Sequence, residues 1–261
     1  MSDRNSESTS GPTPVIEVTV AAPIDDVWQA LREPGRLRNW HGWEYDLPDG
    51  TDALEAEIQT IYFNSAVTEE PPSRLFLGTD VFDLAEVDGG VRVRITRAPR
   101  GANPDWDAYY DDITEGWTTF LHQLVWALER HAGQTRITHF TAGTPHRPAP
   151  IVARLGLAEI AGQPVGSTYS ITLPMGVAIS GTVFFRTEHQ FGLSVTEWGD
   201  GLLEVADSPP APHRPAAGSA AILSLYGMSD DAVAQLRTTW DGWWDGQFQP
   251  AKLPGEDPAT R

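Results

Sequence analysis

Among the side chains that could do chemistry in this chain one type is missing: its 261 residues include no cysteine. Disulfides, thiolate nucleophiles and cysteine-ligated zinc are thereby excluded. The densest cluster of chemically useful side chains is Trp40-His41-Gly42-Trp43-Glu44-Tyr45. Aromatics around a histidine suit ligand gating or a group that titrates near neutral pH. They suit equally well an aromatic lid sealing one end of a core. The seven histidines form no HxH or HxxxH pair. Asp105 and Asp107 sit in a loop, and Asp111 and Asp112 at a helix start, so no metal site is expected. Neither a GxSxG elbow nor a GxGxxG or GxxxxGKS/T phosphate cradle occurs. Glu57 and Asp83 are carboxylates on strand-like stretches, but spacing alone brings neither within reach of an acid–base partner. No catalytic residue and no cofactor is assigned.

The elements that would position such groups follow from periodicity. Asp112 to Gly133 carries Ile113, Trp117, Phe120, Leu121, Leu124, Val125 and Leu128 at the repeat of one helical face. Asp112 is a candidate cap, with Glu115 reaching back to complete a capping box, and Gly133 a candidate left-handed terminator. A stripe this wide needs a broad apolar partner, and the short alternating segments before it supply one. Val15 to Ala21 alternates like a half-buried strand, and Pro23 opens a short helix with Ile24, Val27, Trp28 and Leu31 on its buried side. The runs Leu54–Phe63, Arg74–Leu77, Val81–Val87 and Val91–Thr96 read as strands, the last two joined by Asp88-Gly89-Gly90. Period two then places Ile58 and Tyr62, Phe82 and Leu84, and Val91, Val93 and Ile95 on inner faces.

From Gln134 the order begins again. A strand at Thr135–Thr141 precedes a helix over Ile151–Gly162, strands at Thr168–Leu173, Gly181–His189, Phe191–Trp198, Leu202–Val205 and Ala220–Tyr226, and a final helix capped by Ser229. Pro209–Ala217 reads as a mobile Pro/Ala-rich loop. Each half ends in a Trp-bearing amphipathic helix, which points to an internal duplication. The expected division is a disordered tail at 1–13, domains at 14–133 and 134–248, and a tail at 249–261.

The formal net charge is -18. Such a surface repels phosphate backbones and anionic lipid, so neither nucleic acid nor membrane is an expected partner. No run of apolar residues is long enough to span a bilayer, and the polar N-terminus lacks the apolar region of a secretory signal, so a cytoplasmic protein is expected.

Residues Val15–Glu44 and Glu115–Glu129 resemble the SRPBCC (START-like) superfamily, in the branch similar to the C-terminal domain of the activator of Hsp90 ATPase. Ala22-Pro23, Val27-Trp28, Leu31, Trp40, Gly42, Gly116-Trp117, Leu121, Leu124 and Leu128 carry the likeness, while His41 stands where an aromatic is commoner. The resemblance implies an α+β helix-grip (START-like, Bet v 1-like) fold: an antiparallel sheet wrapped on a long C-terminal helix, here in two tandem copies with the second divergent. It also implies an apolar cavity between sheet and helix. Trp40, Trp43, Tyr62, Phe82, Trp117, Phe120, Leu121 and Leu124 would line that cavity in the first copy, unless they simply fill the core. The leading expectation is a protein that binds a small apolar molecule. A polyketide cyclase or aromatase-type enzyme and a chaperone-activator-like module with a protein partner are the alternatives, since fold does not fix function.

Overall fold

The computed structural model describes residues 13–250 apart from 48 and 103. Both expected tails lie almost wholly outside the described residues. The first half runs β1 (Val15–Val20), α1 (Ile24–Arg32), α2 (Pro34–Leu37), α3 (Ala53–Gln59), β2 (Val67–Glu70), β3 (Arg74–Leu77), β4 (Asp80–Val87), β5 (Gly90–Thr96) and α4 (Tyr110–Arg130). Its antiparallel sheet has the order β1-β5-β4-β3-β2. The second half runs β6 (Ile137–Pro145), α5 (Ile151–Arg154), α6 (Ala158–Ala161), β7 (Thr168–Thr172), β8 (Ala178–Arg186), β9 (Gln190–Val195), β10 (Gly201–Ser208), β11 (Gly218–Leu225), α7 (Asp230–Asp245) and β12 (Phe248–Pro250). Its order is β12-β6-β11-β10-β9-β8-β7. In each half the first strand pairs with the last long strand, and the others follow in reverse order. This is one topology used twice, two antiparallel sheets each closed by a long helix, in the tandem helix-grip arrangement.

Four local readings need correction. Leu54–Phe63 is not a strand but α3 continued by a π-helical turn over Thr60–Asn64. LEAEIQTIYF satisfies spacing two, yet its buried members Leu54, Ile58 and Tyr62 also stand four apart, and Asp52 decides the matter by accepting from Glu55 N at 3.0 Å. The capping box at Asp112 does not form, because α4 starts two residues earlier and the Asp112 carboxylate is bound by His213 and Arg214. The helix over Ile151–Gly162 is two short helices, parted near Gly156, whose φ of +74° a helix cannot continue through. Finally, Gln249 and Pro250 belong to β12, paired to β6, not to a tail.

The first core lies between the first sheet and one face of α4, where Val93, Ile95, Leu75 and Phe82 meet Trp117, Leu121 and Leu124. The second lies between the second sheet and α5, α6 and α7, with Leu193, Leu203 and Leu223 against Leu236 and Trp240. The opposite face of the second sheet is covered as well, by α4. Every residue of β9 is therefore buried, as a strand covered on both sides requires. Helix α4 is thus clamped between two sheets. The packing is close: a Cβ on Gly192 of β9 would meet the Phe185 ring at 2.2 Å, and that ring stacks on His122 of α4 at 3.8 Å.

Candidate functional site

The residues expected to line a cavity in the first half are brought together, but they leave little room. Trp40, Tyr62, Phe82, Leu121 and Leu124 have no more than 1% of their surface exposed, and Trp117 and Phe120 are also buried. Trp117 sits edge-on to Phe82 at 5.2 Å, with Tyr62 and Phe120 beyond. His41 is completely buried among these rings, and its Nδ1 lies 3.1 Å from the Tyr62 hydroxyl. Burial raises the Tyr62 hydroxyl well above the usual tyrosine value. Glu57 approaches His41 Nε2 at 3.4 Å from the partly exposed side. Asp83 is a surface partner of Arg74 at 2.6 Å. Neither carboxylate lines either of the clefts described next.

Two clefts lie where the halves meet. One, of about 510 Å³, is lined mainly by polar groups, among them Arg38, Glu44, Asp52, His139 and Arg237. Most of these polar atoms are engaged with protein: Arg38 with Asp52 at 2.7 Å, His139 with Asp241 at 2.7 Å, and Arg237 Nη2 with the Thr138 carbonyl at 2.7 Å, while Arg237 Nε is buried without a partner.

The other cleft, of about 300 Å³, lies between α4 and the second sheet. The β-ladder register explains its existence. Gln190, Gly192, Glu204, Ala206, Ala220, Ile222, Phe140 and Ala142 stand at matched positions and share the face turned toward α4. Ala142, Ala206 and Ala220 are small, and they oppose Gly116 of α4, so helix and sheet cannot close the space between them. Trp43 lies flat on Phe140 at 3.9 Å and forms one apolar wall. Of the eight residues expected to bind ligand, Trp43 alone lines either cleft. At the mouth, Asp112 holds Arg214 and His213 at 2.6 and 2.7 Å. The loop over 209–217, expected to be mobile, is thereby strapped to the first turn of α4.

Glu204 lines this cleft with 3% of its surface exposed. Its Oε2 accepts from Gln123 Nε2 at 2.6 Å, while its Oε1 is buried without a hydrogen-bond partner. Gln123 is oriented in turn by Arg136, whose Nη1 donates to Gln123 Oε1 at 2.7 Å. Arg136 Nη2 donates to the carbonyls of His41 and Gly42 at 2.8 and 2.9 Å, which fixes the segment leading into Trp43. Burial pushes the Glu204 carboxyl up to about 8, against the opposing pull of the Gln123 amide and the Arg136 charge. A carboxyl raised in this way favours its protonated form at neutral pH. Nearby, Thr119 donates to Gln190 at 2.7 Å, and Gln190 donates to the Glu115 carboxylate at 2.6 Å.

The sequence reading missed Glu204, Gln123, Arg136 and Phe140. One signal was available: an acid inside the apolar run Leu202–Val205, where a charge has no business unless it is neutral or paired. Among the described residues no group of three or more His, Asp or Glu is placed to hold a metal ion, and no helix is long and apolar enough to cross a membrane. Asp107 accepts from Gly101 N, and Asp111 pairs with Arg100. The Asp105 side chain lies outside the described residues.

No family model matches the chain, and no curated protein matches it. Among solved structures, similar ones include DynU16 from the dynemicin biosynthetic locus, at 17% identity and TM-score 0.32 over 90% of this chain and 95% of that one. The di-domain ARO/CYC BexL from the BE-7585A pathway aligns at 12% identity and TM-score 0.33 over 93% and 100%. An AHSA1-like protein from Rhizobium etli aligns at 22% identity and TM-score 0.31 over 49% and 89%. Superpositions this loose add nothing to the chemistry of the site.

Proposed function

We propose that this protein binds a small, mostly apolar molecule in the cleft between α4 and the second sheet, not inside the first helix grip. The observation that carries this reading is a cleft walled by Trp43, Phe140, Ile222 and alanines and lined by Glu204, a residue with one buried carboxyl oxygen that has no protein partner. Apolar concavities with a few polar groups are where small molecules bind. Burying ligand surface there contributes about 25 cal/mol per Å².

Catalysis of the cyclase or aromatase type would need a base beside the Glu204 acid. The carboxylates lining the same cleft, Asp112 and Glu115, are already held by His213 and Arg214 and by Gln190, so the geometry favours binding over acid–base turnover. A protein-docking role finds little surface. Among the described residues the exposed large apolar side chains are Val15 and Val165, one in each half.

The test is titration with the apolar fluorophore-quenching ketone fluorenone, followed through tryptophan emission, with Ala220→Leu as the filled-cleft control. Saturable quenching that Ala220→Leu abolishes is expected. Quenching unchanged by Ala220→Leu would place binding elsewhere and contradict the proposal.

A further inference from the structure

Building on that reading of the cleft, we infer that Glu204 is its recognition group, donating a hydrogen bond from Oε1 to a carbonyl-type acceptor oxygen on an otherwise apolar, uncharged ligand. The argument is one of hydrogen-bond direction. Arg136 carries only donors, so the Gln123 atom facing it at 2.7 Å is the carbonyl oxygen. The Gln123 amide nitrogen therefore faces Glu204 and donates, which makes Oε2 the accepting oxygen. A neutral carboxyl group with Oε2 used as acceptor carries its proton on Oε1, the atom without a partner. The chain from Arg136 through Gln123 thus fixes which carboxyl oxygen is the donor and leaves that donor unused by the protein.

A buried donor without an acceptor is costly, and a ligand oxygen would relieve that cost. A cationic ligand gains nothing from an O–H donor. An anionic one must share the cleft with Asp112 and Glu115, whose charges Arg214 only partly offsets. The remaining charged or titratable groups around Glu204 are Arg136, which favours its ionised form, and Tyr226, whose hydroxyl burial pushes up to about 12. A neutral ligand with one exposed acceptor fits this balance.

The experiment compares two planar probes that differ by a single oxygen, fluorenone and fluorene, by fluorescence titration of the full chain. At pH 6 the wild type should bind fluorenone about tenfold more tightly, the yield of one well-made hydrogen bond. That preference should disappear in Glu204→Leu. In Glu204→Gln, which keeps an N–H donor, it should persist and no longer depend on pH. In the wild type it should fade as pH rises through about 8, where the donor is lost. Equal affinity for the two probes in the wild type, or a preference that survives in Glu204→Leu, would overturn the inference while leaving the cleft as a binding site. Failure of both probes to bind would overturn the cleft reading itself, and this inference with it.

Discussion

Toward the first sheet α4 presents Trp117, Phe120, Leu121 and Leu124; toward the second it presents Glu115, Thr119, Gln123 and Trp126. Both stripes are largely buried, yet their chemistry differs. The first meets large buried side chains, and its cohesion is apolar burial. The second meets a sheet face that mixes small and polar residues with aromatics such as Phe140 and Phe185, and directed bonds add to its apolar contacts: Thr119 to Gln190, Gln123 to Glu204, and Trp126 Nε1 to the Asp200 carbonyl at 2.8 Å. Directed bonds hold two surfaces at a set distance without filling the space between them. That is how one helix can close a core on one side and leave a cleft on the other.

The largest effect should come from the apolar stripe. Trp117→Ala is expected to lower stability by roughly 4 kcal/mol in urea unfolding, as loss of a large buried aromatic does. A loss below about 1 kcal/mol would mean that this face is not the closed one.

On the polar stripe the leading effect depends on pH. The folded-state carboxyl of Glu204 sits near 8 against an ordinary value of 4.5, so between these limits the folded protein holds a proton that the unfolded chain has released. The acid's contribution is thus favourable at low pH and declines as pH rises from 4.5 to about 8. Relative to Glu204→Gln, the wild type should lose on the order of 4 kcal/mol across that window. Parallel pH–stability curves for the two proteins would remove the neutral acid from the account.

Gln123→Leu should cost roughly 2 kcal/mol, because it strips a partner from both Glu204 and Arg136 inside the protein. Unfolding midpoints close to wild type would show that water takes its place. The smallest effect is expected at the mouth, where Asp112→Asn weakens a partly exposed ion pair and should change stability by less than about 1 kcal/mol. The same change should speed limited proteolysis within 209–217. An unaltered cleavage rate would show that the strap is held by other means.

Much of the fold could be read from the chain. The apolar stripe of α4, the turn at Asp88-Gly89-Gly90 and the Ser229 cap are local signals, and the repeated order of elements announced two copies of one topology. Other features were ambiguous for physical reasons. Leu54, Ile58 and Tyr62 satisfy a strand and a helix alike, and only the Asp52 cap separates the two. The second face of α4 carried no periodic signal, because Thr119 and Gln123 find their partners 71 and 81 residues away. Within the aromatic cluster at 40–45, Trp40 and His41 seal a core, Glu44 and Tyr45 line the polar cleft, and Trp43 alone lines the cleft beneath α4. Glu204 announced itself only as an acid in an apolar strand, and its role depends on a glutamine and an arginine that no spacing rule connects to it.

The most direct test of a neutral acid lining the cleft is a carbon-13 NMR titration of side-chain carboxyl groups, with the Glu204 signal assigned by its absence from Glu204→Gln. The account predicts a midpoint of about 8 for that carboxyl. A midpoint near the ordinary glutamate value of 4.5 would contradict it, since the group would then be hydrated and charged at neutral pH.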